Sequence, residues 1–266
     1  LQYRILLILS SIYRRWAGLR LSQLSGWINS WALPQHYAGV EGRGAADASY
    51  HQARLQEHAT LLSHHFGGLA ADIYKCFDQV RREIVYELLK TAGLPLQLLH
   101  AYRDFQESLM VRNTIAGGLG EPYFKPTSIP QGDPMPMMIT SLLLRAWVKQ
   151  MQRHGVTPRN LADDLQLMCK GKDHLERFTL GFDKTFQHLE DMGARLAPNK
   201  SITWSSSAAA RKWLSQHRWT KPRGTIRVIT DGKDLGCHLN AADRRFVGTT
   251  MTKRIQNVSD EIEVLN

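Results

Sequence analysis

Three aspartates carry the chemistry that can be read from this chain. Asp72 follows the apolar run Gly68-Leu69-Ala70-Ala71, while Asp163 and Asp164 stand side by side in Asn160-Leu161-Ala162-Asp163-Asp164-Leu165. A carboxylate at the end of a buried strand is costly unless something pairs with it. Two adjacent carboxylates repel, and their natural partner is a hard divalent cation. Mg2+ takes one or two carboxylates, several waters and substrate phosphate oxygens. If the Asp72 strand and the Asp163-Asp164 segment are neighbours in one sheet, the three acids meet at its edge. Two ions about 3.5–4 Å apart held there would support in-line phosphoryl transfer. The residues alone leave a plainer option open, because Asp-Asp is a common turn pair and Asp72 can simply cap a strand.

The elements that must position these acids follow from periodicity and punctuation. Residues 3–10 read as a strand. Residues 11–31 read as a helix with Ile12, Trp16, Leu19 and Leu24 as its apolar stripe. A Gly-rich loop spans 38–46, with a helix over 47–63. The strand ending at Asp72 leads into a helix that Asp78 can cap, with Ile84, Val85, Leu88 and Leu89 as its apolar face. Gly93 stops that helix and Pro95 begins the next. A hairpin is predicted from 111–115 and 121–125 around Gly117-Gly118. A loop over 128–132, carrying Gln131 and Gly132, opens a long helix from about Pro134 to Arg153. Two short strands meet at Asp163-Asp164, and a helix over 172–192 ends at Gly193. Strands return over 225–229 and 235–239. Strands interleaved with helices on this scale predict an α+β fold, with helices packed on one face of a sheet.

Composition narrows the partners. Of 266 residues, 43% are hydrophobic, which argues against wholesale disorder, and the net charge of +10 points to a polyanion. Residues 200–235 concentrate that charge, with eight Lys or Arg against Asp231 and Asp234. Trp204, Trp213 and Trp219 are interleaved there, either as stacking surfaces for bases or as core side chains. Nucleic acid is the first candidate polyanion and an anionic membrane surface the second; the longest apolar run, Ile5 to Leu9, is far short of the roughly 20 residues that span a bilayer, and no membrane partner is expected. A signal peptide there would lack a clean cleavage pattern. Cys76, Cys169 and Cys237 form neither a metal-spaced pair nor a disulfide framework, the usage of a reducing intracellular setting, nucleus or cytoplasm. The first residue is Leu, as in a piece of a longer chain.

Four segments in order resemble the reverse transcriptases, most closely those of non-LTR retrotransposons and group II introns. The family's D-x-x-x-A-F-D stands here as Asp72-Ile73-Tyr74-Lys75-Cys76-Phe77-Asp78. Its Q-G-D-P-L-S-P stands as Gln131-Gly132-Asp133-Pro134-Met135-Pro136-Met137. The aromatic residue before A-D-D is Leu161, and the fourth segment is matched by Gly193 and Lys200. Tyr3-Arg4-Ile5 and residues 38–48 resemble the fingers region. Asp234-Leu235-Gly236-Cys237 resembles the Y-L-G primer-grip hairpin.

The resemblance covers roughly residues 1–240. It implies a polymerase palm, an antiparallel sheet with helices on one face, plus partial fingers and the start of a thumb. The fingers would take 1–66, the palm with inserted fingers elements 67–224, and the primer-grip hairpin and thumb 225–266. It implies a metal set of Asp72, Ile73, Asp163 and Asp164 holding two Mg2+, with Mn2+ as an alternative. Lys200 would serve the leaving pyrophosphate as general acid or charge screen. Phe77 would exclude a 2′-OH, and Ile73, Gln131 and Gly132 would contact nucleotide or template. Arg4 would hold the triphosphate and Arg43 a template or nucleotide phosphate. The implied partners are an RNA template, a DNA or RNA primer and dNTPs, within a retrotransposon polyprotein. Read singly, Phe77 suits a core, Lys200 a solvated surface, and both arginines structural posts. Two other functions share this pattern: a decayed or domesticated maturase-like RNA-binding protein, motivated by Met135-Pro136-Met137 and Leu161, and an RNA-dependent RNA polymerase, which Phe77 disfavours.

Overall fold

A computed structural model describes residues 7–115, 117–125, 127–221, 224–235, 237–241 and 256. In chain order these form α1 (Ser11–Gln23), α2 (Ser25–Trp31), α3 (Ala45–Leu61), β1 (Phe66–Asp72), α4 (Cys76–Gln79), α5 (Arg82–Thr91) and α6 (Leu96–Ser108). Four short strands follow, β2 (Met110–Val111), β3 (Thr114–Ile115), β4 (Gly118–Leu119) and β5 (Tyr123–Phe124). Then come α7 (Pro136–Arg153), β6 (Thr157–Leu161), β7 (Asp164–Lys170), α8 (His174–Asp191), a 3-10 turn at Pro198–Lys200, β8 (Ile202–Ser205) and α9 (Ala208–Gln216). The last described strands are β9 (Arg227–Ile229), β10 (Asp231–Asp234) and β11 (Cys237–Asn240).

The central sheet has the order β6-β7-β1-β8-β9. Alternation along β1 and β7 gives it two different faces. Leu69, Ala71, Leu165, Leu167 and Cys169 pack into one core with Trp147, Val148 and Met151 of α7 and Phe178, Phe182 and Leu189 of α8. The opposite face presents Gly68, Ala70 and Asp72 beside Met168, Gln166 and Asp164, their partners in the β1–β7 ladder. Part of it is covered by Ala59 of α3, Leu239 of β11 and Trp204. Gly68 is required under that tryptophan, because an added Cβ would lie 2.6 Å from the indole Cζ2 and 2.2 Å from the Leu167 carbonyl oxygen.

A second core joins α1, α2, α5 and α6 to the first half of α7 through Tyr13, Ala17, Ile28, Trp31, Val85, Leu89, Leu99, Tyr102, Met138 and Leu142. Buried Asp133 ties its elements together. Its carboxylate accepts from Tyr13 Oη (3.1 Å), Gln106 Nε2 (3.1 Å) and the Met135 amide (3.0 Å). α7 runs through both cores and couples them.

Several sequence expectations need correction. The β8–β9 pair is parallel, so the sheet is not wholly antiparallel. A parallel pair needs a crossover, and α9, where only strands were expected, supplies it. α7, α8 and α9 back one face of the sheet, but α3 and the β10–β11 hairpin sit on the other. Of the strand expected over 3–10, residues 3–6 lie outside the described residues and 7–10 form no strand, with Leu7 donating to the Gln131 carbonyl (3.3 Å). The 11–31 helix breaks at Leu24, and its buried face is Tyr13, Ala17, Leu24, Ile28 and Trp31. Ile12 and Leu19 are 80% and 58% exposed. The tie from Tyr13 to Asp133 fixes this rotation of α1.

Asp78 does not cap α5, whose N-cap is Arg81; it pairs with Lys125 Nζ at 3.2 Å instead. The 111–125 hairpin consists of two separate ladders, β2–β5 and β3–β4. The long helix starts at Pro136, so Gln131 and Gly132 lie in the loop before it. Trp204 and Trp219 are 0% and 2% exposed core residues, and only Trp213, at 38%, reaches solvent among these three.

Candidate active site

The β1–β7 ladder runs in register from Phe66 opposite Lys170 to Asp72 opposite Asp164. Directly opposed residues share one face of the sheet with Cβ atoms roughly 5 Å apart. The strands therefore bring two carboxylates together across 92 positions of chain. Asp163 occupies the two-residue turn between β6 and β7, and its carbonyl accepts the Ile73 amide at 3.1 Å. This turn is set by Ala162, which adopts φ +53°, a left-handed conformation costing a non-glycine residue roughly 1–2 kcal/mol. The buried Ile73 side chain leaves only the backbone at that position for a ligand.

The cluster is electrostatically crowded. Burial first, then repulsion from Asp163, Asp72 and Asp234, pushes the Asp164 carboxyl up to about 6, with Lys200 opposing. Burial, followed by the charges of Asp163 and Asp72, lifts the Cys76 thiol to about 12, which leaves it inert beside the acids. Lys200 Nζ stands 2.7 Å from Asp72 Oδ2, a cation already placed at the pair. Asp72, Asp164, Gln166, Lys200, Asp234 and Leu235 line a hollow of about 170 Å³. Among the described residues no three His, Cys, Asp or Glu side chains stand converged as a complete metal cage. Two facing carboxylates nonetheless match the hard-oxygen set Mg2+ takes, since it keeps waters and phosphate oxygens for its other positions, and Lys200 would have to release Asp72 to it.

Phe77 lies half-buried on α4, just after Lys75, which is itself left-handed at φ +45°. The Phe77 carbonyl accepts the Ile129 amide at 2.9 Å, and that of Val80 accepts the Ser128 amide at 3.0 Å. These bonds dock the turn after β1 against the loop carrying Gln131 and Gly132. Gly132 is exposed at φ +112°, and a Cβ there would come within 3.0 Å of the Leu7 carbonyl oxygen.

The sequence matches the family described as reverse transcriptase (RNA-dependent DNA polymerase) over residues 2–249. The chain belongs to the reverse transcriptase family. No curated protein matches it. Its fold is similar to that of apo telomerase from Candida tropicalis truncated from its C-terminal domain, at TM-score 0.56 and 12% identity, over 87% of this chain and 44% of that one. Telomerase from Candida albicans, in complex with a TWJ fragment of telomeric RNA, gives TM-score 0.54 and 14% identity over 90% of this chain and 38% of that one. At such identities the likeness is one of fold, and the reverse transcriptase chain described here spans less than half of either telomerase.

Other candidate residues lie apart from the acids. Arg43 Nη1 donates to the carbonyls of Leu33 (2.6 Å) and His36 (3.2 Å), pinning the loop before α3, and Arg43 does not line the acidic hollow. Arg4 and Gly236 lie outside the described residues, as does the part of the expected hairpin-and-thumb region 225–266 that follows residue 241, apart from residue 256. Sequence reasoning missed a polar chain on the open face of the sheet: Gln52, Arg159, Gln166 and Asp234. The one local signal was Gln166 itself, which interrupts the apolar run Leu165-Gln166-Leu167-Met168 without indicating its partners.

Proposed function

We propose that this chain is the polymerase part of an RNA-directed DNA polymerase, which extends a primer 3′-OH on an RNA template with dNTPs. The observation that carries this reading is the placement of Asp72 opposite Asp164, with Asp163 in the turn beside them. Asp72, Asp163 and Asp164, with the Ile73 backbone, would hold Mg2+, or Mn2+ in its place. When bound, two such ions activate the primer hydroxyl and neutralise charge on the transferring phosphate.

The chain's own residues supply the rest. Lys200 is 58% exposed and paired with Asp72, so its ammonium would be able to turn toward a leaving pyrophosphate and hold or donate a proton at Nζ. Phe77, fixed by the bond between α4 and the Ile129 loop, would exclude a 2′-hydroxyl. That feature favours dNTPs and disfavours an RNA-dependent RNA polymerase. Exposed Gly132 leaves the loop bare for close approach by nucleotide or template, with Gln131 beside it. The basic surface would neutralise backbone phosphates of the duplex. A retrotransposon is the proposed origin.

Primer extension on a primed RNA with dNTPs and Mg2+ tests the reading. The expected result is extension by the wild type, loss to background on chelation, and loss in Asp163→Asn. Extension that survives the substitution overturns the assignment of the acids.

A further inference from the structure

The β10–β11 hairpin forms one wall of the acidic hollow through Asp234 and Leu235, and its attachment to the sheet is polar. Gln166 Nε2 donates to a carboxylate oxygen of Asp234. Gln166 Oε1 accepts from Arg159 Nε at 2.8 Å, directly across the β6–β7 ladder. Arg159 Nη2 donates to Gln52 Oε1 of α3 at 2.5 Å. Arg159 and Gln166 are each 1% exposed, and Gln52 is 4%.

A buried guanidinium without a counter-charge is strongly unfavourable. Burial lowers the pKa of the Arg159 guanidinium, Tyr37 and then Asp234 oppose that, and Arg159 in turn opposes the upward push that burial exerts on Asp234. Gln166 lies between the two charges with its polarity matched to both: the carbonyl faces the cation and the amide hydrogens face the anion. An apolar strand residue at 166 would leave both charges unbridged.

We infer that Asp234 is a positioning residue: joined through Gln166 to buried Arg159, it fixes the β10–β11 hairpin as the wall of the hollow beside Asp72 and Asp164, and so sets where the primer terminus rests. The hairpin part stands on the geometry alone. The primer part rests on the polymerase reading.

Cys237, three residues beyond Asp234, is exposed, whereas Cys76 and Cys169 are buried, so a nitroxide attached to the native chain reports on the hairpin. Asp234→Asn keeps an acceptor oxygen for Gln166 and removes the charge. The expected results are a more mobile nitroxide and a primer–template KM raised about tenfold, with the dNTP KM unchanged, as for loss of a charged hydrogen-bond partner. Gln166→Leu cuts the relay at its middle and produces the same two changes, which covers the case of an Asp234→Asn chain that does not fold. Unchanged label mobility overturns the relay. A fall in kcat at unchanged primer KM overturns the positioning role. A wild type that extends no primer sinks the polymerase reading instead, and the nitroxide still decides the relay.

Discussion

Ala162 holds a left-handed conformation at the turn that presents Asp163 and Asp164, and Lys75 does the same four residues before Gln79 ends α4. Strain of this kind persists only where surrounding bonds over-determine it. Here the bond from the Ile73 amide to the Asp163 carbonyl locks the turn to β1. The adjacent Phe77 is the residue whose role is most open to a direct test. Phe77→Ala is expected to lower the preference for dNTP over NTP by roughly 10- to 100-fold, the range available to a steric contact. Single-nucleotide incorporation with each substrate reads the ratio. A variant that loses thermal stability while keeping the ratio would show that the ring is only packing. The spacing of these residues was readable in the chain because each motif is local. The relay of Gln52, Arg159, Gln166 and Asp234 was not, since no local pattern tells which distant residue a buried guanidinium will find.

Among the elements, the β1–β7 ladder is decisive, because its register alone puts Asp72 opposite Asp164. A slip of one residue would turn one carboxylate toward the α7–α8 core. Gly68 protects that register from the other side by letting Trp204 lie against the strand. Gly68→Ala is therefore expected to destabilise the protein by about 3 kcal/mol or more, since neither the Leu167 carbonyl nor a fully buried indole can withdraw. Denaturant unfolding measures the loss; a change under 1 kcal/mol would mean that the sheet yields there. The strand ending at Asp72 and the Asp163-Asp164 hairpin were legible from apolar runs bounded by turn residues. The β8–α9–β9 crossover was not: Ser207 does accept the Ala210 amide at 3.3 Å as a helix cap, but Ala208 to Gln216 is too short for periodicity to outweigh its basic composition.

At the scale of the molecule, two cores meet along α7, and the loop before α3 closes them near His36. That side chain is fully buried at the edge of Trp31, and burial, helped by Arg43 and Arg145, pushes its ring down to about 4. Between roughly pH 6.5 and 4 the unfolded chain takes a proton that the folded chain refuses. His36 therefore withdraws stability as pH falls, by roughly 3 kcal/mol in all. Asp164 and Asp234, raised to about 6, act in the opposite sense over pH 4 to 6. The clean readout is a difference. Wild type is expected to lose more unfolding free energy than His36→Gln between pH 7 and 4.5, and parallel losses would contradict the burial of a neutral ring.

The sequence by itself determined the family, the order of the motifs and the apolar strands that end in acids, because these are written in neighbouring residues and short periods. The tertiary structure decided which carboxylates face one another, which tryptophans are core, how α1 is rotated and what anchors the hairpin wall. Each of these is a choice among distant partners. That choice is made by packing two cores against one helix and by the need of every buried charge for a counter-charge, and neither requirement is visible in any short stretch of chain.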